Sequence, residues 1–449
     1  MATWRRRGWR WGAATAVLVA ASVLAPPAAH AASLSLEEAV RAAWASNPGL
    51  AAGAQQARSA REDAAAARDA RLPTLSFSAK GLVTDEPLMA FGVKLDQQKI
   101  TQADFAPPRL NAPDPVGGVG LGASVMQPIY MGGRLTAGRR AAEAQAEAEG
   151  HTQARRQDEL ALAVVEAYFG AQVAEQGLRF AEDTLQHAAE TERFTQARNR
   201  QGLALDADVA RATAFRAQAE AERATARQRV ASARSALVLL AGDVASGAEL
   251  TTPVERAQPA PADGAPPPGI ERADLLAARL RATAAEEAGA AARGSLLPEV
   301  FAQAGVETLR SSLAQGATWF QLLLVARWQL SLGALDGTRA AEARAAAARS
   351  AAAWQERQAR REVDEAHRAV ETADVRVASA REAISASESA RSLREARHRQ
   401  GLLPLTDVLD AEAGLAGARA LLLQSQLQAR LARAQLQLAL GQSIEGVKS

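Results

Sequence analysis

The chain switches between two hydrophobic periods. Four short segments alternate apolar and polar residues, the period of a strand. In 74–83, Leu75, Phe77 and Ala79 alternate with Ser76, Ser78 and Lys80. In 120–130, Leu121, Ala123, Val125 and Ile129 share one face, with Gly122 and Ser124 opposite. In 299–309, Val300, Ala302, Ala304 and Val306 oppose Glu299, Gln303 and Glu307. In 318–331, Phe320, Leu322, Leu324, Ala326, Trp328 and Leu330 oppose Gln321, Arg327 and Gln329. An apolar face backed by a face with charges suits a wall between lipid and water, and the lengths approach the ~9–11 residues of a membrane strand. Trp319 and Trp328 flank the last segment as aromatics of the barrel–membrane interface would.

The rest of the pattern is helical. Gly133–Gln201 and Thr338–Gln400 contain no proline and are dominated by Ala, Arg, Glu, Gln and Leu, strong helix formers. At ~1.5 Å per residue they predict helices about 100 and 95 Å long. Each meets a turn at Gly202 or Gly401 and returns over 206–240 or 406–440. Helices of this length predict coiled-coil packing, and the abundant alanine lets their axes approach closely. The alternative, a cytosolic coiled-coil rod, is opposed by the alternating segments and by the secretory character of residues 1–31.

The same series occurs twice. Arg71-Leu72-Pro73-Thr74-Leu75-Ser76-Phe77 is echoed by Ser295-Leu296-Leu297-Pro298-Glu299-Val300-Phe301. Met131-Gly132-Gly133-Arg134 is echoed by the Gly-bearing run from Leu332 to Gly337. Arg200-Gln201-Gly202-Leu203 is echoed by Arg399-Gln400-Gly401-Leu402, and Asp208-Val209 by Asp407-Val408. This order predicts a duplication, with repeats over 32–250 and 270–449. Between them, 251–269 carries Pro253, Pro259, Pro261 and Pro266-Pro267-Pro268 and reads as a connector. The stretch 84–118 between the first two strands carries Pro87, Pro107, Pro108, Pro113 and Pro115, and reads as an irregular extracellular loop.

Residues 1–31 change the setting. A basic start (Arg5, Arg6, Arg7, Arg10), an apolar run over 13–25 and Ala29-His30-Ala31 read as a secretory signal peptide cut after Ala31. The 449-residue chain carries 52 basic and 50 acidic side chains; without those four arginines the balance is 48 to 50, a poor fit to nucleic acid. There is no cysteine, no GxxxxGK[ST] and no HExxH, so no cofactor, metal or catalytic centre is expected. With no other segment apolar enough for a spanning helix, entry into a membrane must be as a barrel. Four strands cannot close one against lipid, so the chain must share its wall with other copies, two giving eight strands and three giving twelve.

The chain resembles the TolC-like outer-membrane efflux protein family. The resemblance rests on Leu34-Ser35-Leu36-Glu37-Glu38-Ala39-Val40 with Asn47-Pro48-Gly49-Leu50, on Gln127-Pro128-Ile129-Tyr130-Met131-Gly132-Gly133, and on the two Arg-Gln-Gly-Leu turns followed by Thr406-Asp407-Val408-Leu409-Asp410. It implies a homotrimer in the outer membrane of a Gram-negative bacterium: a twelve-stranded β-barrel, four strands per chain, continued by a twelve-helix periplasmic tunnel. It also implies a passive duct of a tripartite efflux or type I secretion system, with a periplasmic adaptor and an inner-membrane pump or ABC transporter as partners. The alternative is an adaptor or a structural coiled-coil protein of an envelope complex.

Within that frame Asp407 and Asp410, three apart on a return helix, are the candidates for an acidic aperture ring, with Asp208 as the first-half counterpart. The competing reading is that these carboxylates cap or solvate a helix start, Asp208 together with Asp206. Arg200, Gln201, Gly202, Leu203 and Arg399, Gln400, Gly401, Leu402 are the candidate adaptor-docking tips, where Leu205, Leu403, Pro404 and Leu405 add apolar surface. One branch of the family closes its tip with a tyrosine and an arginine; the matching positions here are His398 and Leu403.

Overall fold

A computed structural model of the chain describes residues 33–255, 272–312 and 315–444. The expected signal peptide and the expected connector from residue 256 onward lie outside the described residues. The element order is β1 (Ser33–Leu34), α1 (Leu36–Ser46), α2 (Pro48–Asp69), β2 (Thr74–Thr84), α3 (Pro87–Asp96), α4 (Pro107–Asn111), β3 (Val116–Met131), α5 (Arg134–Arg200), α6 (Asp206–Ala241), β4 (Glu249–Leu250), α7 (Ala273–Gly294), β5 (Glu299–Ser312), β6 (Gln315–Arg327), α8 (Leu332–Arg399) and α9 (Leu405–Leu440).

The start of α1 is set by a capping box. The Ser35 hydroxyl accepts from the Glu38 amide, and the Glu38 carboxylate accepts from the Ser35 amide at 2.8 Å. Asn47 caps α2, which opens with Pro48, a residue whose missing N–H costs nothing there.

The long helices form two hairpins, α5 with α6 and α8 with α9. Their buried positions recur every seven residues and are mostly small. In α8 the series is Thr338, Ala345, Ala352, Ala359, the partly buried Ala366, Ala373 and Ala380. In α9 it is Ala411, Ala418, Ser425, Ala432 and Ala439, and in α6 it is Ala212, Ala219 and Ala226. A strict seven-residue repeat commits helices to left-handed winding, and alanine on the seam brings their axes close.

The core of the molecule lies where the hairpin helices meet α1. Val164, Val165, Tyr168 and Phe169 of α5 meet Leu237, Ala434, Leu438 and the α1 residues Leu36, Ala39, Val40 and Ala43. The short parallel pair of β1 and β4 is tied down from beneath. The Tyr168 hydroxyl donates to the Leu34 carbonyl at 2.7 Å and accepts from the Thr252 amide at 2.9 Å. Arg430, 1% exposed, donates to the carbonyls of Val254 (2.9 Å) and Pro253 (2.6 Å), with its guanidinium 4.6 Å from the Phe169 ring. At the head of α7, buried Arg272 bridges Asp274 and, on α8, Glu362, each at 2.7 Å. Burial favours the neutral acid in Asp274, but the Arg272 hydrogen bonds and charge outweigh it and hold the carboxyl below its usual value.

The four expected strands form one antiparallel sheet in the order β2-β3-β5-β6. Several boundaries differ from expectation, and β5 runs on to Ser312, past the expected 309. β3 starts at Val116, so Gly117 and Gly118 are already in the ladder with Val83 and Leu82. β6 runs from Gln315 to Arg327 and does not extend to residue 331. Its last partner is Glu299, and the preceding Pro298 has no N–H to continue the ladder. The face of β3 is also interrupted. Gln127 pairs with Ala302 but Tyr130 with Val300, so a bulge at Pro128–Tyr130 leaves Ile129 outside the alternation.

The stretch between β2 and β3 is only partly irregular. Pro87 opens α3 and Pro107 opens α4, because a fixed φ suits the first helical position, while Pro113 and Pro115 lie outside any helix. Between α3 and α4 the Thr101 hydroxyl and amide both donate to buried Asp104, which also takes Lys94 Nζ at 3.0 Å.

Candidate functional site: a two-faced sheet and two hairpin tips

Cross-strand register defines the faces of the sheet. One rung reads Phe77, Ala123, Val306 and Phe320, and the next on that face reads Leu75, Val125, Ala304 and Leu322. Phe77, Phe320, Leu322 and Leu324 are each more than 70% exposed, so this face is a broad apolar surface. The other face carries Ser76, Ser78, Lys80, Gln303, Glu307 and Gln321, with Gly118, Gly120 and Gly122 of β3 between them. Among the described residues both outer strands, β2 and β6, have one unpaired edge.

The two tryptophans separate. Trp319 pairs with Glu307 and lies on the polar face, away from Phe320 and Leu322. Trp328 follows the strand and donates from Nε1 to the Leu296 carbonyl at 3.0 Å. Strand alternation already placed Trp319 one residue out of phase with the apolar set.

The strand–helix junctions are drawn together by glycine. Gly132 has φ +62°, and a Cβ there would lie 2.0 Å from the Gly294 carbonyl oxygen; a Cβ on Gly294 would lie 2.5 Å from the Gly132 oxygen. Beside this crossing Glu299 meets Arg134 at 3.1 Å and Arg327 at 3.0 Å.

At the far end both Arg-Gln-Gly-Leu runs build the same helix stop. Gly202 (φ +72°) donates to the Asn199 carbonyl and Leu203 to Arg198; Gly401 (φ +77°) donates to His398 and Leu402 to Arg397. This is the Schellman pattern, which calls for glycine at the left-handed position and a hydrophobic residue after it. The motif residues therefore first terminate a helix, while Arg200, Gln201, Arg399 and Gln400 remain exposed. Leu203, Leu205 and Leu402 are exposed, but Leu405 is buried at the start of α9, a correction to its expected exposure.

The tips touch one another. The Arg198 guanidinium donates to the His398 carbonyl at 3.4 Å and lies over Phe194, whose ring meets His398 edge-on. His398 Nδ1 is 2.8 Å from the Leu403 carbonyl oxygen, so these two positions bond to each other. Arg198 opens the repeated run Arg198-Asn199-Arg200-Gln201-Gly202-Leu203, but nothing in the sequence assigns it a role, and the only signal for Phe194 is an aromatic one turn ahead of that arginine.

Asp208 and Asp407 each occupy the third position of a return helix, where the helix dipole favours a carboxylate. Neither caps with its side chain: the residues before the two helices are Leu205 and Pro404, and Asp206 instead accepts from Asn199 Nδ2 at 2.9 Å. Asp407 is half-buried and Asp410 exposed. Among the described residues no ion pair neutralises Asp208, Asp407 or Asp410.

Among the described residues no helix is long and apolar enough to cross a membrane, and no acidic or histidine cluster could hold a metal. No curated protein matches the chain by sequence. Solved structures do. A membrane protein from Pseudomonas aeruginosa is 23% identical with a TM-score of 0.78, the match covering 90% of this chain and 93% of that one. The outer membrane protein VceC from Vibrio cholerae is 21% identical with a TM-score of 0.76, covering 91% and 97%. The Campylobacter jejuni CmeC outer membrane channel is 15% identical with a TM-score of 0.80, covering 92% and 87%. The family model described as outer membrane efflux protein matches residues 39–243 and 270–442. The chain thus belongs to the outer membrane efflux protein family, a transport protein of the outer membrane reaching into the periplasm, and not an enzyme.

Proposed function

We propose that this chain is one of three copies forming a passive exit duct, a twelve-stranded barrel continued by a twelve-helix periplasmic tunnel. The observation that carries the reading is the four-stranded sheet with an apolar face and two open edges. Open edges are not tolerated in lipid, so β2 of one copy pairs with β6 of the next until the wall closes. The apolar face then meets lipid, the polar face lines the pore, and the stretch between β2 and β3 lies at the outer mouth. α5 and α8, of 67 and 68 residues, carry the wall about 100 Å towards the inner membrane. Their tips, with exposed Leu203 and Leu402, dock a periplasmic adaptor, and Asp407, Asp410 and Asp208 form acidic rings at the aperture. Energy comes from an inner-membrane pump or ABC transporter. A periplasmic adaptor, the alternative, needs neither a two-faced sheet nor a second hairpin.

The absence of native cysteine makes the edge pairing directly testable. Cysteines placed one per edge along β2 and β6 are expected to give oxidant-dependent dimers and trimers at one register. A chain that stays monomeric at every register, and soluble without detergent, rejects the shared wall.

A further inference from the structure

The charges on the polar face of the sheet are arranged in pairs, and one pair is built across a strand. Lys80 of β2 and Glu307 of β5 are separated by β3, yet Lys80 Nζ lies 3.0 Å from Glu307 Oε2. The intervening positions on β3 are Gly120 and Gly122. A Cβ on Gly120 would fall 2.8 Å from both Cγ and Cε of Lys80, and one on Gly122 would fall 2.7 Å from Ser78 Oγ and 3.4 Å from Glu307 Cγ. The lysine stem therefore lies in a trough that only glycine leaves open, and the trough points it at the carboxylate. Both side chains keep solvent access, the lysine at 57% and the glutamate at 33%.

The pair sits where the stretch between β2 and β3 leans over the same face. Gln97, which follows α3, donates to the Gly117 carbonyl at 2.9 Å, and a Cβ on Gly118 would fall 2.5 Å from its Nε2. Gly118 is one same-face rung beyond Gly120, and Leu309, level with Lys80, is buried. The other charges on this face, Glu299 and Arg327, also pair, near the helices. The sheet's polar face therefore presents balanced charge, in contrast to the unneutralised aspartates at the tips.

Resting on the duct reading, we infer that Lys80 and Glu307 are specificity-determining residues: a charge-balanced collar under the outer mouth that keeps the barrel from selecting ions by sign. Three copies bring three such pairs. Removing the lysine unmasks three carboxylates around the pore, and removing the glutamate unmasks three ammonium groups; rings of like charge bias permeation.

The test is the reversal potential of single channels in planar bilayers under a dilute salt gradient, where screening is weak. Lys80→Gln is expected to raise the cation-to-anion permeability ratio roughly twofold or more, Glu307→Gln to lower it by a similar factor, and the double variant to restore the wild-type ratio. Oligomer mobility on semi-native gels controls for assembly, and a purely structural salt bridge would move both single variants the same way. Channels whose ratio is unchanged in both, or shifted in one direction by both, overturn the collar and leave the duct standing. A wild-type protein that forms no channels overturns the duct itself. Should Lys80→Gln not assemble, Glu307→Gln and the double variant carry the same comparison.

Discussion

At the residue scale several of the few buried large polar side chains hold loop backbone in place: Gln97, Gln172 and Arg430 each donate to loop or strand-end carbonyls. Arg430 is fully buried, and its guanidinium replaces water for two carbonyls at the start of the connector. Arg430→Met keeps the volume but leaves those acceptors unmet, which costs about 2–4 kcal/mol. It is expected to lower the temperature at which the detergent-solubilised oligomer dissociates and to expose the connector to protease. Asp104 behaves as a pH-dependent clasp. Hydrogen bonds from the Thr101 hydroxyl and amide, then from Lys94, bring its carboxyl down to about 2. A depressed acid stabilises the fold above its unfolded value of 3.8 and loses that contribution as pH falls towards about 2. Peptic cleavage beside Phe91 or Phe105 is therefore expected to be slow near pH ~3.5 and fast below about pH 2, and fast at both in Asp104→Asn. Such tertiary roles were not legible in the sequence. Arg430 is one of three arginines in α9, with Arg419 and Arg433, and the helix sequence gives no sign of which carbonyls it will reach, since its partners lie far away in the chain.

Elements were more legible than residues, and for identifiable reasons. Proline-free helices and the Arg-Gln-Gly-Leu stops are local signals, so the helix ends at both tips fall within a residue of the expected turns, whereas α8 begins at Leu332, ahead of the expected start at 338. Strand faces follow from alternation, and the errors came where a nonlocal partner decides. β6 ends where Pro298 withdraws the ladder from its neighbour, and the bulge at Pro128 ejects Ile129. The prolines before β3 predict an irregular loop, yet Pro87 and Pro107 are helix starters because they hold the first helical position. At the tips the aspartate proposal turns on whether Asp407 and Asp410 act beyond the helix dipole. In planar bilayers Asp407→Ala with Asp410→Ala is expected to weaken block by divalent cations by about tenfold, with assembly retained. Unchanged block would leave them as helix-start carboxylates only.

At the scale of the whole molecule, the seven-residue rhythm of small buried side chains governs reach. A straight helix drifts ~20° per heptad against a seven-residue repeat, so only coiling keeps Ala345 and Ala380 on one seam. The length of the hairpins is for this reason quantised. Excising seven residues from each helix of a hairpin at matched depth shortens it by about 10 Å and leaves every remaining face in phase. Excising four turns everything below the cut by ~40° relative to what lies above. The heptad deletion is expected to yield stable oligomers that are shorter in electron micrographs, and the four-residue deletion to yield none. Stature in such a molecule changes by whole steps, and a gap between two membranes can be matched only to the nearest rung.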